Sequence, residues 1–115
     1  MGDRSDREFA AWQRVTLPLL LLGEMELSPG HGYGLAERLV ERGLNPVKGA
    51  ALYPVLNRLE DDGLATSTWE PGESGPGRKV YHLSPAGAEQ LAQSRRRFAE
   101  FAAIIVDGYG QLTAP

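Results

Sequence analysis

Residues 50–64 read AALYPVLNRLEDDGL, and their apolar side chains recur at the three- and four-residue steps of an amphipathic helix. These apolar positions are Leu52, Val55, Leu56 and Leu59. Pro54 is tolerated only near the start of a helix, where backbone N–H groups lack intrahelical partners, so we expect the helix to begin near Ala50. Gly63 is suited to end it. The other face carries Tyr53, Asn57 and Arg58, which raises the question of whether that face binds a partner.

Two helices are predicted before this one. Apolar residues at helical spacing predict a first helix over about residues 8–25, bent or interrupted at Pro18. The segment LSPGHGYG then opens a second helix, with Ser28 expected as its N-terminal cap and Pro29 at its first position. Gly43 is placed to end this second helix.

A hairpin and a long helix are predicted after it. The segments LATSTWE and RKVYHLS have the β-branched and aromatic composition of strands, and the turn-rich segment PGESGPG joins them. A last helix is expected over about residues 85–107, with Ser84 as its cap and Pro85 at its first position. At about 1.5 Å per residue this helix is long enough to project from the rest of the domain. Its apolar stripe then needs a partner, and a second copy of the chain is the simplest one.

This order of elements defines the predicted fold class. Three helices followed by a two-stranded hairpin form the winged helix-turn-helix plan, in which the third helix enters the DNA major groove and the hairpin, or wing, reaches the backbone. We therefore expect a mainly α protein with a small β-hairpin. Its winged helix-turn-helix domain would span residues 1–84, with residues 1–7 disordered. A C-terminal dimerisation helix would span residues 85–108.

Composition and motifs disfavour several classes of function. The chain has no cysteine, and its two histidines lie in different elements without a second ligand at a metal spacing, so we expect no metal site. The sequence contains no recognisable catalytic constellation. We therefore expect that the protein is not an enzyme and that it binds no cofactor. The longest apolar run, LPLLLLG, is far shorter than the roughly 20 residues needed to cross a bilayer. The start MGDRSDREF has no apolar signal core, which favours a cytoplasmic protein without membrane contact.

Charge leaves two interpretations of the predicted DNA-facing region open. The net charge is −3, whereas DNA-binding domains are usually basic. Between Lys48 and His82, four basic residues lie among five acidic ones, so charge alone favours a solvated face or a winged helix that docks on protein. The basic residues nevertheless fall at the start of the third helix, along it and in the wing, where a winged helix contacts double-stranded DNA.

Three segments together carry a resemblance to a known family. LLLLGEMELSPGHGYGLAERL, ALYPVLNRLEDDGL and GRKVYHLSPAG resemble the PadR family of bacterial transcription regulators over roughly residues 15–90. The single C-terminal helix is similar to that of the short PadR subfamily. Ser84 replaces the usual threonine, and Val80 stands where a second aromatic residue is common. The resemblance implies a homodimeric repressor that binds a palindromic operator and is associated with the nucleoid through DNA. The implied DNA-binding residues are Tyr33, Lys48, Tyr53, Asn57, Arg58, Arg78 and Lys79.

The same resemblance implies a dimer interface that can bind a small molecule. Short members dimerise through their first and last helices, and some bind flat aromatic drugs between tryptophans at that interface. Phe98 stands at the position of that tryptophan, and Ala102 replaces an acidic residue, which removes one reason to expect cationic ligands. The implied interface and effector residues are Trp12, Val15, Leu19, Leu91, Phe98, Phe101, Ala102 and Ile105. A small apolar or aromatic effector and a closed, purely structural dimer core are both compatible with these residues.

Overall fold

The structure of the protein is a computed structural model that describes residues 4–72, 75 and 77–108. Four α-helices, three short strands and a final π-helical turn follow one another along these residues. The helices are α1 (Arg4–Leu27), α2 (Gly32–Glu41), α3 (Gly49–Asp61) and α4 (Pro85–Ala103), and α4 continues into the π-helical turn Ile104–Gly108. The strands are β1 (Gly30–His31), β2 (Ala65–Glu70) and β3 (Arg78–Leu83). The predicted mainly α fold with a β-hairpin is confirmed.

The first helix is longer than the sequence pattern indicated. It begins at Arg4, so residues 4–7, which were expected to be disordered, are helical, while residues 1–3 lie outside the described part of the chain. Pro18 lies inside α1 and does not divide it into two segments. Polar residues extend a helix readily once a packed apolar face downstream has nucleated it, which explains the earlier start.

The entry into α2 differs from the prediction and adds a strand. Ser28 does not cap α2, and Pro29 is not its first residue, because the helix begins only at Gly32. The hydroxyl of Ser28 instead donates a hydrogen bond to the carbonyl of Pro29. Gly30 and His31 between them are extended and pair antiparallel with Tyr81 and Val80, which gives a sheet of order β1-β3-β2. The free edge of β3 supplies backbone partners that this pre-helical segment would otherwise lack.

The two predicted glycine stops are confirmed. Gly43 and Gly63 have φ values of +99° and +76°, a region that residues with a Cβ rarely adopt. Each glycine lets the next amide reach back to the last turn: Leu44 N–H bonds the Leu39 carbonyl, and Leu64 N–H bonds that of Leu59. Both helices therefore end sharply, which leaves a short loop before α3 and a direct passage from α3 into β2.

The apolar faces of the helices and one face of the sheet meet in a single core. The fully buried side chains come from all four α-helices and from β3: Leu21, Leu35, Leu39, Leu52, Leu56, Tyr81 and Leu91. Leu91 is 0% exposed in this core and anchors the start of α4 against the domain. This burial corrects the expectation that Leu91 belongs to a dimer interface, because a side chain enclosed within one chain offers no surface to a second.

Two polar contacts fix α2 and the following loop against α1. The buried amide of Gln13 donates to the Asn45 carbonyl and accepts from the Asn45 N–H, both at 2.9 Å. Glu24 is only 3% exposed, and its carboxylate accepts a charge-assisted hydrogen bond from Arg42 at the end of α2. This carboxylate is the first cause of the raised pKa of Arg42. These buried polar groups are satisfied only in one arrangement of α1 and α2, so they orient the helix that leads to α3.

The last helix leaves the domain, as predicted. Every residue from Arg95 to Gly108 is exposed except Ala102, which is half-buried. The described residues extend over 65 × 37 × 20 Å. Within this part of the chain no helix is long and apolar enough to span a membrane.

Candidate nucleic-acid interface

The outer surface of α3 is the first component of the candidate interface. Leu52, Leu56 and Leu59 hold the inner face of the helix in the core. Asn57 is exposed on the outer surface, and Tyr53 is half-buried at its edge. Lys48 stands exposed at the N-cap position and makes no ion pair with any residue that the structure describes. The amide of Asn57, the phenol of Tyr53 and the ammonium of Lys48 therefore lie on the side of α3 that faces away from the core, as the sequence pattern predicted.

Tyr33 joins this surface from α2. Its ring meets that of Tyr53 edge to face, with centroids 5.5 Å apart. The two rings cover the first residues of both helices, since a Cβ at Gly32 would lie 2.8 Å from the Tyr53 ring and one at Gly49 would lie 2.9 Å from the Tyr33 hydroxyl. Partial burial raises the pKa of Tyr53, so it remains a neutral hydroxyl donor at physiological pH.

The starts of α2 and α3 lie side by side beneath these tyrosines. Neither helix has a side-chain cap at its N-terminus, where His31 and Lys48 occupy the cap positions. The absence of a side-chain cap leaves the positive ends of both helix dipoles without a compensating side chain, which favours an anion near Lys48 at the edge of the tyrosine pair.

The wing contributes two cations, which are in different situations. Arg78 is exposed at the start of β3 and has no ion pair or side-chain hydrogen bond among the described residues. Lys79 is only 30% exposed, and its Nζ lies 2.8 Å from Oε1 of Glu60 on α3. The family resemblance implied that both residues bind DNA. Within the part of the chain that the structure describes, Arg78 is unpaired, whereas Lys79 is paired with α3, the recognition helix of a winged helix-turn-helix domain.

Glu60 is the centre of a small polar cluster between α3 and the wing. Its second carboxylate oxygen accepts a hydrogen bond of 2.5 Å from the Ser67 hydroxyl on β2. The hydrogen bond from Lys79, followed by that from Ser67, lowers the pKa of Glu60, and the same contact with Glu60 raises the pKa of Lys79. The Lys79 ammonium also lies 5.4 Å from the centroid of the Tyr81 ring, whose own pKa is raised by burial.

Arg58 lies away from Tyr53 and Asn57. One residue along an α-helix is a rotation of about 100°, which carries Arg58 from the outer surface toward α1 and α4. There it lines an open groove of about 990 Å³ between α1, α3 and α4, which Phe98 also lines. The structure therefore does not bring Arg58 together with the other predicted DNA-binding residues.

The expected interface residues other than Leu91 lie on or beside this groove. Val15 and Leu19 of α1 line it together with Phe98 and Phe101 of α4, whose rings are 6.4 Å apart. Trp12 and Ile105 are exposed on the same two helices, and Ala102 is half-buried on α4. This apolar set is large for a surface that faces water, since soluble monomers rarely expose so many neighbouring aromatic and aliphatic side chains.

Sequence reasoning missed the positions of two residues. Trp69 of β2 is 68% exposed, and strand alternation puts it on the same face of the wing as Ser67, toward α3. Glu60, in the acidic last turn of α3, contacts the wing through Lys79. The alternation of ATSTWE could have placed Trp69 on this face, whereas the contact of Glu60 depends on tertiary packing.

These features define a class of protein. Three helices, a wing that returns against the third helix, and an outward α3 surface with free helix starts are the components of a winged helix-turn-helix DNA-binding domain. The chain matches the transcriptional regulator PadR-like family over residues 21–93, more than half of its length. It belongs to that family, and so it is a DNA-binding transcriptional regulator and not an enzyme.

Similar proteins agree with this assignment along nearly the whole chain. The chain is 36% identical over 102 residues to the transcriptional regulator Rv3488 of Mycobacterium tuberculosis, covering 89% of this chain and 91% of that protein. A PadR family regulator from Eggerthella lenta superposes with a TM-score of 0.79 at 30% identity, over 94% of this chain and 90% of that one. A transcriptional regulator from Streptococcus gives a TM-score of 0.71 at 25% identity, over 87% and 96% of the two chains.

Proposed function

We propose that the protein is a ligand-responsive repressor that acts as a homodimer on a palindromic operator. The observation that carries the proposal is the apolar surface shared by α1 and α4, which lies beside the recognition helix and has no partner within the described chain. A two-fold dimer formed on this surface buries the same residues of both copies. It also fixes two recognition helices in one rigid assembly, and two half-sites of an operator then bind together.

The DNA contacts divide into positioning and reading groups. Lys48 and Arg78 are free cations, so they bind phosphates, with the uncapped starts of α2 and α3 beside them. Asn57 presents an amide to base edges in the major groove, and Tyr53 and Tyr33 flank it. The net charge of −3 does not oppose this mode, because the exposed cations Lys48 and Arg78 lie at the start of α3 and in the wing, where a winged helix contacts DNA.

The groove supports the ligand-responsive part of the proposal. Val55 and Arg58 of α3 form one wall of it, and Phe98 of α4 forms another, so an apolar or aromatic effector held there touches the recognition helix itself. Such a ligand shifts DNA affinity only by its difference in affinity for the DNA-competent and DNA-incompetent states. An effector that favours the second state releases the operator, which is the behaviour of an inducible repressor.

The test is selection of bound fragments from genomic DNA of the source organism at two salt concentrations. We expect enrichment of a palindrome with half-sites about one helical turn apart, and loss of that enrichment at the higher salt. Absence of any enriched sequence from ligand-free, refolded protein at both salts would refute the repressor assignment and favour a winged helix that docks on protein.

Substitutions at Asn57 and Arg78 should separate reading from positioning. Asn57→Ala should relax sequence preference by about tenfold at one position of each half-site, because the amide is a base-reading group. Arg78→Ala should weaken binding to all sequences. It should also reduce the salt slope by about 0.9 for each phosphate that the protein no longer neutralises, hence by roughly two per dimer. Fluorescence anisotropy with specific and scrambled duplexes over a salt series measures both. An unchanged salt slope for Arg78→Ala would remove the wing from the phosphate-binding set.

A further inference from the structure

Glu60 joins three parts of the DNA-binding domain through one carboxylate. It projects from α3, its Oε1 accepts from Lys79 of β3 at 2.8 Å, and its Oε2 accepts from Ser67 of β2 at 2.5 Å. Both strands of the wing are thus attached to the same side chain of the recognition helix. Because each carboxylate oxygen binds a different strand, loss of this one side chain would release both strands from α3.

The side chains on this face of the wing follow strand alternation. Ser67 pairs with Tyr81 across the two strands, and Lys79 pairs with Trp69, so the four side chains share the face that meets α3. The Lys79 ammonium sits between the Glu60 carboxylate and the Tyr81 ring. Its position is set by both neighbours, whereas the adjacent Arg78 points to solvent with no such constraint.

We propose that Glu60 and Lys79 are positioning residues that set the angle of the wing relative to the recognition helix, and that Lys79 is not a phosphate contact. The wing cation that binds DNA is then Arg78, and it reaches its phosphate because the pair holds β3 in place. This inference rests on the wing–DNA contact of the proposed function. It assigns to Glu60, an acidic residue on the DNA-binding helix, a role that favours DNA binding.

Glu60→Gln has opposite expected effects on DNA affinity, depending on whether Lys79 contacts a phosphate or positions the wing. If Lys79 contacted a phosphate, Glu60→Gln would remove a repulsive charge, release the Lys79 ammonium and tighten DNA binding. If the pair positions the wing, Glu60→Gln weakens DNA binding although the protein becomes less negative. The expected loss is about fivefold, since a partly exposed pair fixes geometry by a modest free energy.

The experiment compares Glu60→Gln, Lys79→Gln, the double variant and Arg78→Gln as the matched control on the neighbouring cation. Each is titrated with the duplex enriched in the genomic selection, or with a random-sequence duplex if none is enriched, over a salt series. We expect all three pair variants to lose affinity without additivity, and their salt slopes to fall no further than that of Arg78→Gln, because the only phosphate contact that they disturb is the one made by Arg78. Arg78→Gln should reduce the slope. Tighter binding by Glu60→Gln together with a reduced slope for Lys79→Gln would overturn the proposal.

A second measurement on the free protein keeps this result separate from the proposed function. Amide hydrogen exchange of residues 66–70 and 78–82 should become faster in Glu60→Gln and in Lys79→Gln, and should stay at the wild-type rate in Arg78→Gln. Unchanged exchange in both pair variants would overturn the positioning role whether or not the protein binds an operator. Faster exchange with an unchanged salt slope for Arg78→Gln would instead retain the pair and reject the proposed wing–DNA contact.

Discussion

Replacing Val15 by glutamate is expected to convert the dimer to monomers and to abolish tight operator binding. Val15 is 79% exposed on α1, so the substitution leaves the core of the single chain intact. In the proposed dimer it buries a carboxylate in an apolar interface, a change that costs about 3–5 kcal/mol per site where the charge is left uncompensated. A two-fold interface contains the site twice, so the dimer dissociation constant should rise by at least about 100-fold.

Sedimentation velocity over a range of protein concentrations measures this dissociation, and anisotropy with the operator measures its consequence. Ala92→Glu is the matched control, because Ala92 is exposed on α4 but follows Leu91 by one residue, away from the groove. It should remain dimeric and bind DNA as the wild type does. A Val15→Glu protein that sediments as a dimer would contradict the assignment of this α1 surface to the interface.

The predicted fold rested on signals that are local in the chain. The inner face of α3 was identified from Leu52, Leu56 and Leu59 alone, because their spacing matches the period of a helix that packs on one side. Gly63 was identified as a stop because the end of a helix requires a positive φ there, and its φ is +76°. Such requirements act within one turn of helix, so they can be read without knowledge of the rest of the structure.

The features that the sequence did not predict depend on contacts between distant segments. Ser28 and Pro29 have the composition of a helix start, yet the segment that follows them pairs with β3, some fifty residues later. Two residues of strand have no periodicity from which such pairing could be inferred. Leu91 fits a seven-residue apolar repeat equally well in a dimer seam and in a core, and only the packing of α4 against the domain decides between them.

The candidate site likewise contains residues whose positions the sequence predicted and residues whose positions it did not. Tyr53 and Asn57 were placed on the outer surface because helical periodicity fixes what faces away from the core. Arg58 was grouped with them from its adjacency in sequence, although one further residue turns it toward the groove. Lys79 and Arg78 are neighbours of the same charge, and only the ion pair of Lys79 with Glu60 of α3 distinguishes them. Periodicity predicts which way a side chain points, whereas the residue that it contacts there depends on the whole fold.

Among the helical glycines that the structure describes, Gly87 is the one whose replacement by alanine is expected to destabilise the protein most. A Cβ at Gly87 would lie 2.0 Å from the Leu64 carbonyl oxygen and 2.8 Å from Cδ1 of Leu83. The carbonyl cannot move aside freely, because it accepts the Ser84 N–H at 3.1 Å. Ser84 itself is held by two further bonds, from its hydroxyl to the Gly63 carbonyl at 2.6 Å and from the Gly87 N–H to its hydroxyl at 2.9 Å.

The methyl group must therefore displace the start of α4 from the end of α3, and we expect a loss of about 3 kcal/mol, at the upper end for overpacking. This should lower the melting temperature by roughly 10 °C at a fixed protein concentration. Gly34→Ala is the matched control: Gly34 lies in α2, nothing surrounds its Cβ position within 4 Å, and alanine there should stabilise the protein by about 0.5–1 kcal/mol. Calorimetry of both variants decides the matter. If Gly87→Ala melts within about 2 °C of the wild type, α4 does not start against Leu64, and the direction in which it projects would have to be revised.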